Sequence, residues 1–141
     1  MKRTEIKQLF SAPQDFDGAE TTVCGWVRTI RDSKAIGFIE LNDGSAFKNL
    51  QVILEQGSLS NFSEIVKLNV GSAITVHGRV VLTPEAKQPL EIHAESVEVE
   101  GLSTPDYPLQ KKRHSLEFLR SIAHLRPRTN TFEAVFRVRS V

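Results

Sequence analysis

"GFIELNDGSAFKNLQVIL", residues 37–54, reads as a strand, a polar turn and a second strand, and its alternation governs the reading of the chain around it. Ile39 and Leu41 fall on one face, while Phe38, Glu40 and Asn42 fall on the other. Across the turn, Leu50, Val52 and Leu54 share a face, which turns Gln51 outward beside Ile53 and Glu55. A phenylalanine and a glutamine thus stand on the wet side of a sheet. On pattern alone, Phe38 is either a platform for a ligand or an incidental exposed apolar residue, since such residues are common on any protein.

Outward from this pair, alternation and β-branched content predict strands over roughly 20–31, 36–42, 50–54, 72–82 and 90–100. Thr4 is placed to cap a brief helix carrying Ile6, Leu9 and Phe10, and Pro13 and Gly18 break the chain after it. Between the third and fourth strands, "SLSNFSEIVKLNVG" spaces Phe62, Ile65, Val66 and Asn69 like one short helix closed by Gly71. The order β-β-β-α-β-β is the plan of the OB-fold, a mainly β five-stranded barrel whose face around strands 2 and 3 commonly binds oligonucleotides. Other small barrels share such a pattern, so the order alone does not set function.

The texture changes after Gly101. "LSTPDYPLQ" carries two prolines, which remove ladder and helix donors, and reads as an extended linker. Beyond it, "HSLEFLRSIAHLRP" places Leu116, Leu119, Ile122 and Leu125 on one helical side, with Ser115 as cap and Pro127 as stop. "NTFEAVFRVRSV" opens another helix with Asn130 and Glu133 spaced as a capping pair, and its interruption suggests a truncated chain. The expected division is 1–102 barrel, 103–113 hinge linker and 114–141 the start of a second, helical domain.

Charge follows the same boundary. Residues 111–139 hold eight basic and two acidic side chains, net +6, leaving ten basic and fifteen acidic elsewhere, net −5. A mildly acidic barrel argues against nucleic-acid binding by counterion release alone, so any such contact needs a few well-placed groups. Arg28, Arg31 and Lys34 lie at the end of the first strand and in the loop after it; Lys34 reads best as a solvated edge charge. On the fifth strand Leu90, Ile92 and Ala94 face in, so Glu91 and His93 face out. A carboxylate beside RNA is costly unless it accepts hydrogen bonds from a base edge, and Glu91 is a candidate for that task.

Several functions are set aside. "MKRTEIKQLF" carries charges where a signal peptide needs an apolar run, and no stretch approaches the roughly 20 apolar residues of a membrane span, so a cytoplasmic chain with no membrane partner is expected. Cys24 is the single cysteine and reads as a buried thiol in a strand. His77, His93, His114 and His124 lack metal-ligand spacing, and no Ser, His and carboxylate grouping reads as a nucleophile system. Trp26, among Val23 and Val27, reads as core or rim packing.

"VCGWVRTIRDSKAIGFIELNDGS", "NLQVIL" and "YPLQKKRHSLEFLRSIAHLRPRTNTFEAVFRVRS" together resemble the amino-terminal part of the bacterial asparaginyl-tRNA synthetases, over nearly the whole chain. The resemblance implies an OB-fold that holds the anticodon stem-loop of asparagine tRNA. Phe38 would stack on a base, Gln51 would read a pairing edge, and Arg28, Arg31 and Glu91 would meet the backbone or bases. It also implies a class II catalytic domain that makes asparaginyl-adenylate with ATP and Mg2+. That domain's ATP-binding motifs are absent from these 141 residues, so no catalytic residue, cofactor or metal is expected within them. The helix bearing Phe132, Val135 and Phe136 would contribute to a two-fold homodimer interface of the full-length protein. Two other readings stay open: a free-standing OB module for single-stranded nucleic acid or protein, and a synthetase paralogue that no longer charges tRNA.

Overall fold

The computed structural model describes residues 3–57, 59–83, 90–103, 107–109 and 115–140. Five strands, β1 (Glu20–Ser33), β2 (Ile36–Asn42), β3 (Leu50–Glu55), β4 (Ala73–Leu82) and β5 (Leu90–Gly101), close into a barrel in the order β1-β2-β3-β5-β4. Every described ladder is antiparallel except β3 with β5, where Val52 pairs with Ile92 and Ile53 with His93. The strand bounds follow the period-2 reading to within two residues, and the β-β-β-α-β-β order is that of an OB-fold.

The inward positions of each strand meet at the barrel centre. Ile39, Val52, Ile92 and Val80 form one continuous row across four strands, all with no exposed surface. Burying each such side chain contributes about 1.5–3 kcal/mol, which is why alternation is so strictly kept here. Two short helices add to this core. In α1 (Ile6–Ser11), Ile6 and Leu9 are buried, and in α2 (Phe62–Ile65), Phe62 and Ile65 are.

Helix ends depart from the sequence reading. Thr4 is not the cap of α1: its N–H donates to Thr22 O at 2.8 Å, and Glu5 takes the N-cap place, its N–H donating to Gln8 Oε1 at 3.0 Å. The β2–β3 turn then holds the helix start, with Asp43 Oδ2 accepting from Ile6 N at 2.9 Å and Ser45 Oγ from Lys7 N at 3.0 Å. Helix α2 ends at Ile65, short of the expected Val66 and Asn69; Leu68 is buried beyond it, and Asn69 donates to Ser103 O at 3.1 Å. Asn42, expected on the wet face, is only 1% exposed, because its amide spans the β2–β3 turn to Ala46 O, Asn49 Oδ1 and Gly44 N. Cys24 is half-buried, 3.4 Å from Thr75 Oγ1.

Past the barrel, Ser103 is fastened by its N–H to Ser72 Oγ (3.1 Å) and by its hydroxyl to Val70 O (2.6 Å). The Lys111–Arg113 run and His114 lie outside the described residues. Helix α3 (Leu116–Ser121) starts at Ser115, whose Oγ accepts from Phe118 N at 3.1 Å, but stops before Ile122 and Leu125. Pro127 sits inside a 3-10 turn, Arg126–Arg128, rather than ending a helix. Helix α4 spans Asn130–Ser140; its first turn is met by Thr129 Oγ1, which accepts from Phe132 N at 3.4 Å, so Asn130 is not the cap. Glu133 pairs with Arg137 instead of reaching back, at 3.1 Å and only 8% exposed.

One glycine is set by close approach. A Cβ on Gly25 would lie 2.3 Å from Asn42 O, a backbone atom that cannot yield, whereas Gly57 has open space. Gly25→Ala is expected to lower unfolding stability by about 1–3 kcal/mol, an overpacking cost, and Gly57→Ala to leave it almost unchanged. Urea denaturation of both variants checks this; equal midpoints would contradict the packing at β1 and β2.

Candidate nucleic-acid interface

Cross-strand registry brings the outward residues of distant segments into rows. Arg31 pairs with Phe38, Phe38 with Ile53, Ile53 with His93 and His93 with Arg79, so five strand positions run side by side across the outside of the barrel. Arg79 pairs in turn with Glu20, which returns the row to β1 eleven residues before Arg31, the stagger that closure of a tilted sheet requires. A second row lies beside it. Thr29 pairs with Glu40 and Glu40 with Gln51, and Gln51 and Glu91 each stand one residue before the Val52–Ile92 pair.

Phe38, Gln51, Arg31 and Glu91 therefore share one surface, although up to 60 residues separate them in sequence. Phe38 is half-buried, and the Arg31 guanidinium lies over its ring at 5.7 Å from the centroid. Ile53, expected to point outward, does so but is only 7% exposed, because Phe38 and His93 flank it on the neighbouring strands. Glu91 is held by His93, whose Nε2 stands 3.0 Å from Oε1, while His93 Nδ1 lies 3.8 Å from Glu55. Alternation placed His93 on this face; its contact with Glu91 two residues away on the same strand needed the side-chain geometry.

Arg28 does not join this surface. The β1–β2 register shifts between Val27 and Thr29, so Arg28 sits at a bulge, and its guanidinium donates to the carbonyl of Arg128. Lys34 occupies the two-residue β1–β2 turn with φ of +55°, exposed, as expected of a solvated edge charge. Trp26 packs at the barrel rim: a Cβ on Gly44 would lie 3.6 Å from its ring, and Arg128 covers it at 4.8 Å.

A hydroxyl, imidazole and carboxylate do meet elsewhere, which the sequence reading did not foresee. Thr22 Oγ1 lies 2.8 Å from His77 Nδ1, and His77 Nε2 is 4.0 Å from Glu98. Thr22 and His77 are direct cross-strand partners, and Glu98 is 66% exposed. The surrounding depression of ≈ 570 Å³ includes Glu20, Glu95 and Glu98, a set of carboxylates that repels a phosphate backbone. Among the described residues, no group of three His, Cys, Asp or Glu side chains is placed to hold a metal ion. No helix among them is long and apolar enough to cross a membrane.

The outward rows combine an aromatic face, an amide, a guanidinium and a carboxylate, the groups that stack on and read unpaired bases. Similarity to known proteins agrees with that chemistry. The asparagine-tRNA ligase of Acetivibrio thermocellus is 67% identical over 141 residues, all of this chain and 30% of the relative; that of Clostridium acetobutylicum is 61% identical over the same spans. The chain thus covers under a third of the length of these relatives. In shape, a crystal structure of asparaginyl-tRNA synthetase from Pyrococcus horikoshii complexed with asparaginyl-adenylate superimposes with a TM-score of 0.86 at 22% identity, over 99% of this chain and 32% of that one. Residues 21–100 match the tRNA anti-codon family of OB-fold nucleic acid binding domains, and the chain belongs to that family.

Proposed function

We propose that this chain is the tRNA-recognising part of a ligase that attaches asparagine to its tRNA, and that the anticodon of asparagine tRNA lies across β1, β2, β3 and β5. The observation that carries this reading is the placement of Phe38 and Gln51 on adjacent outward rows of a barrel of the tRNA anti-codon family. The identity over all 141 residues includes the segment beyond the barrel, which goes against a module that works as a barrel by itself.

The residues divide the task by chemistry. A base stacked on Phe38 cannot slip beneath Arg31, since a base between them needs about 7 Å, twice a ~3.5 Å contact distance, and only 5.7 Å separates guanidinium and ring. Arg31 swings aside on binding and offers its charge to the phosphate backbone. Gln51 carries both a donor and an acceptor for a pairing edge, and Glu91, oriented by His93, accepts from a base amino or imino group. With the barrel net acidic, stacking and edge contacts rather than bulk charge supply the affinity.

Adenylate formation with ATP and Mg2+, a two-fold homodimer built with Phe132, Val135 and Phe136, and a cytoplasmic location belong to the same proposal for the complete protein. No described cluster here fits a metal, so no step is assigned to these residues. In α4, Val135 is 43% exposed, and Phe132 and Phe136 are half-buried with ring centroids 6.3 Å apart.

Phe38→Ala is expected to weaken binding of the asparagine anticodon stem-loop by about 1–3 kcal/mol without unfolding the domain. Gln51→Ala should relax discrimination against a wrong base by a similar amount, about 1–3 kcal/mol. Fluorescence anisotropy with matched and mutated stem-loops checks both, and parental affinity in Phe38→Ala would remove the platform. Asparagine-dependent exchange of pyrophosphate into ATP is expected at background for residues 1–141, because the depression of ≈ 400 Å³ that Arg128 and Arg137 line is wide open and would not exclude water from ATP. Exchange above background would place adenylate chemistry in this chain. Full-length protein is expected to sediment as a dimer, and a monomer at all concentrations would oppose the interface assigned to α4.

A further inference from the structure

We propose that the barrel rim at Trp26 and the Gly44 turn is a docking seat for the chain's own segment 126–140, and that Arg28 is a positioning residue of this latch rather than an RNA contact. Three arginines of the tail face the rim or each other's aromatic neighbours. Arg128 covers the Trp26 ring at 4.8 Å and donates to Tyr107 Oη at 3.2 Å. Its backbone carbonyl is the acceptor for Arg28. Arg137 donates to the Gly44 carbonyl, lies 5.3 Å over the Phe47 ring and is paired with buried Glu133. Arg126 stacks behind them on Phe132 and Phe136 at 5.0 and 5.6 Å.

The arrangement has the chemistry of a directional clasp. Its cross-rim contacts are guanidinium to carbonyl and guanidinium to aromatic ring, with no carboxylate on the barrel side among them, so the seat selects planar cations. Each side anchors the other: β1 reaches out with Arg28 to a tail carbonyl, and the tail reaches in with Arg137 to a turn carbonyl. Tyr107 supports the middle, since a Cβ on Gly71 would lie 2.7 Å from its ring. Arg28, at the bulge, and Arg31, in the regular ladder after it, lie three residues apart, so one strand serves two surfaces, the tail through Arg28 and the outward row through Arg31. The assignment of Arg28 bears on the site proposed above, but the latch itself does not depend on RNA binding.

Trp26 is the only tryptophan in the chain, and its indole N–H is buried with no hydrogen-bond partner among the described residues, so water reaching it gives a direct signal. Arg128→Ala is expected to red-shift the emission and raise acrylamide quenching. Hydrogen exchange across Asn130–Ser140 should accelerate by about 2- to 30-fold, the equilibrium equivalent of one cation–π contact, because an 11-residue helix is poorly protected unless docked. Arg28→Ala should accelerate exchange in the same helix and leave stem-loop affinity at the parental value. Arg139→Ala, which removes an exposed charge from α4, controls for net charge and should change neither. Unchanged exchange in Arg128→Ala would overturn the latch. Weakened stem-loop binding in Arg28→Ala would overturn the assignment of Arg28. If the parent bound no stem-loop, the exchange and emission results would still decide the latch while the anticodon reading failed.

Discussion

Closure of the sheet through the short parallel ladder of β3 and β5 is the constraint on which the rest of the molecule depends. The β1–β4 ladder joins the β1-β2-β3 meander to the β4–β5 hairpin on one side, and two residue pairs, Val52 with Ile92 and Ile53 with His93, close the ring on the other. A slip of one residue there would turn Ile92 outward and Glu91 and His93 into the core, where an unpaired carboxylate is far too costly to keep. The fully buried row Ile39, Val52, Ile92 and Val80 holds the register against that slip. The outward rows are the same register seen from the other side. The placement of the outward residues is therefore set by packing in the interior.

Closure also explains why the candidate interface can be sparse in charge. Strands hold Phe38, Gln51 and Glu91 at fixed spacing, so the binding proposed above needs little rearrangement beyond the movement of Arg31. His93 fixes Glu91 in turn, and Arg31 keeps the Phe38 ring covered. A preorganised surface of this kind gains affinity from stacking and selectivity from edge contacts, and it tolerates an acidic barrel behind it.

Basic residues past the linker play a different part from the one their net charge suggests. Arg126, Arg128 and Arg137 are directed at rings and carbonyls of this chain, and Glu133 neutralises one of them in a buried pair. Guanidinium groups suit this because they stack and donate in one plane while shedding water more readily than ammonium groups. Of the five arginines described in residues 111–139, these three contact the chain itself, while Arg120 and Arg139 are exposed.

How much of this was legible beforehand follows from the range of the forces involved. Strand bounds, the inward residues and the outward placement of Phe38, Gln51, Glu91 and His93 were readable because a side chain's face in a strand follows from its parity, a purely local property. The five-strand order and the motifs around Trp26 and beyond Tyr107 were enough to indicate an anticodon-binding OB-fold. Helix ends were misread at Thr4, Leu125 and Asn130, since short helices are settled by distant partners such as Asp43 and Ser45 rather than by propensity. Burial of Asn42 and Ile53 depended on neighbours across strands. The direction of Arg28 lay furthest from local rules: a bulge turned a long, flexible side chain toward a carbonyl 100 residues away, and only the folded chain brings that carbonyl within reach.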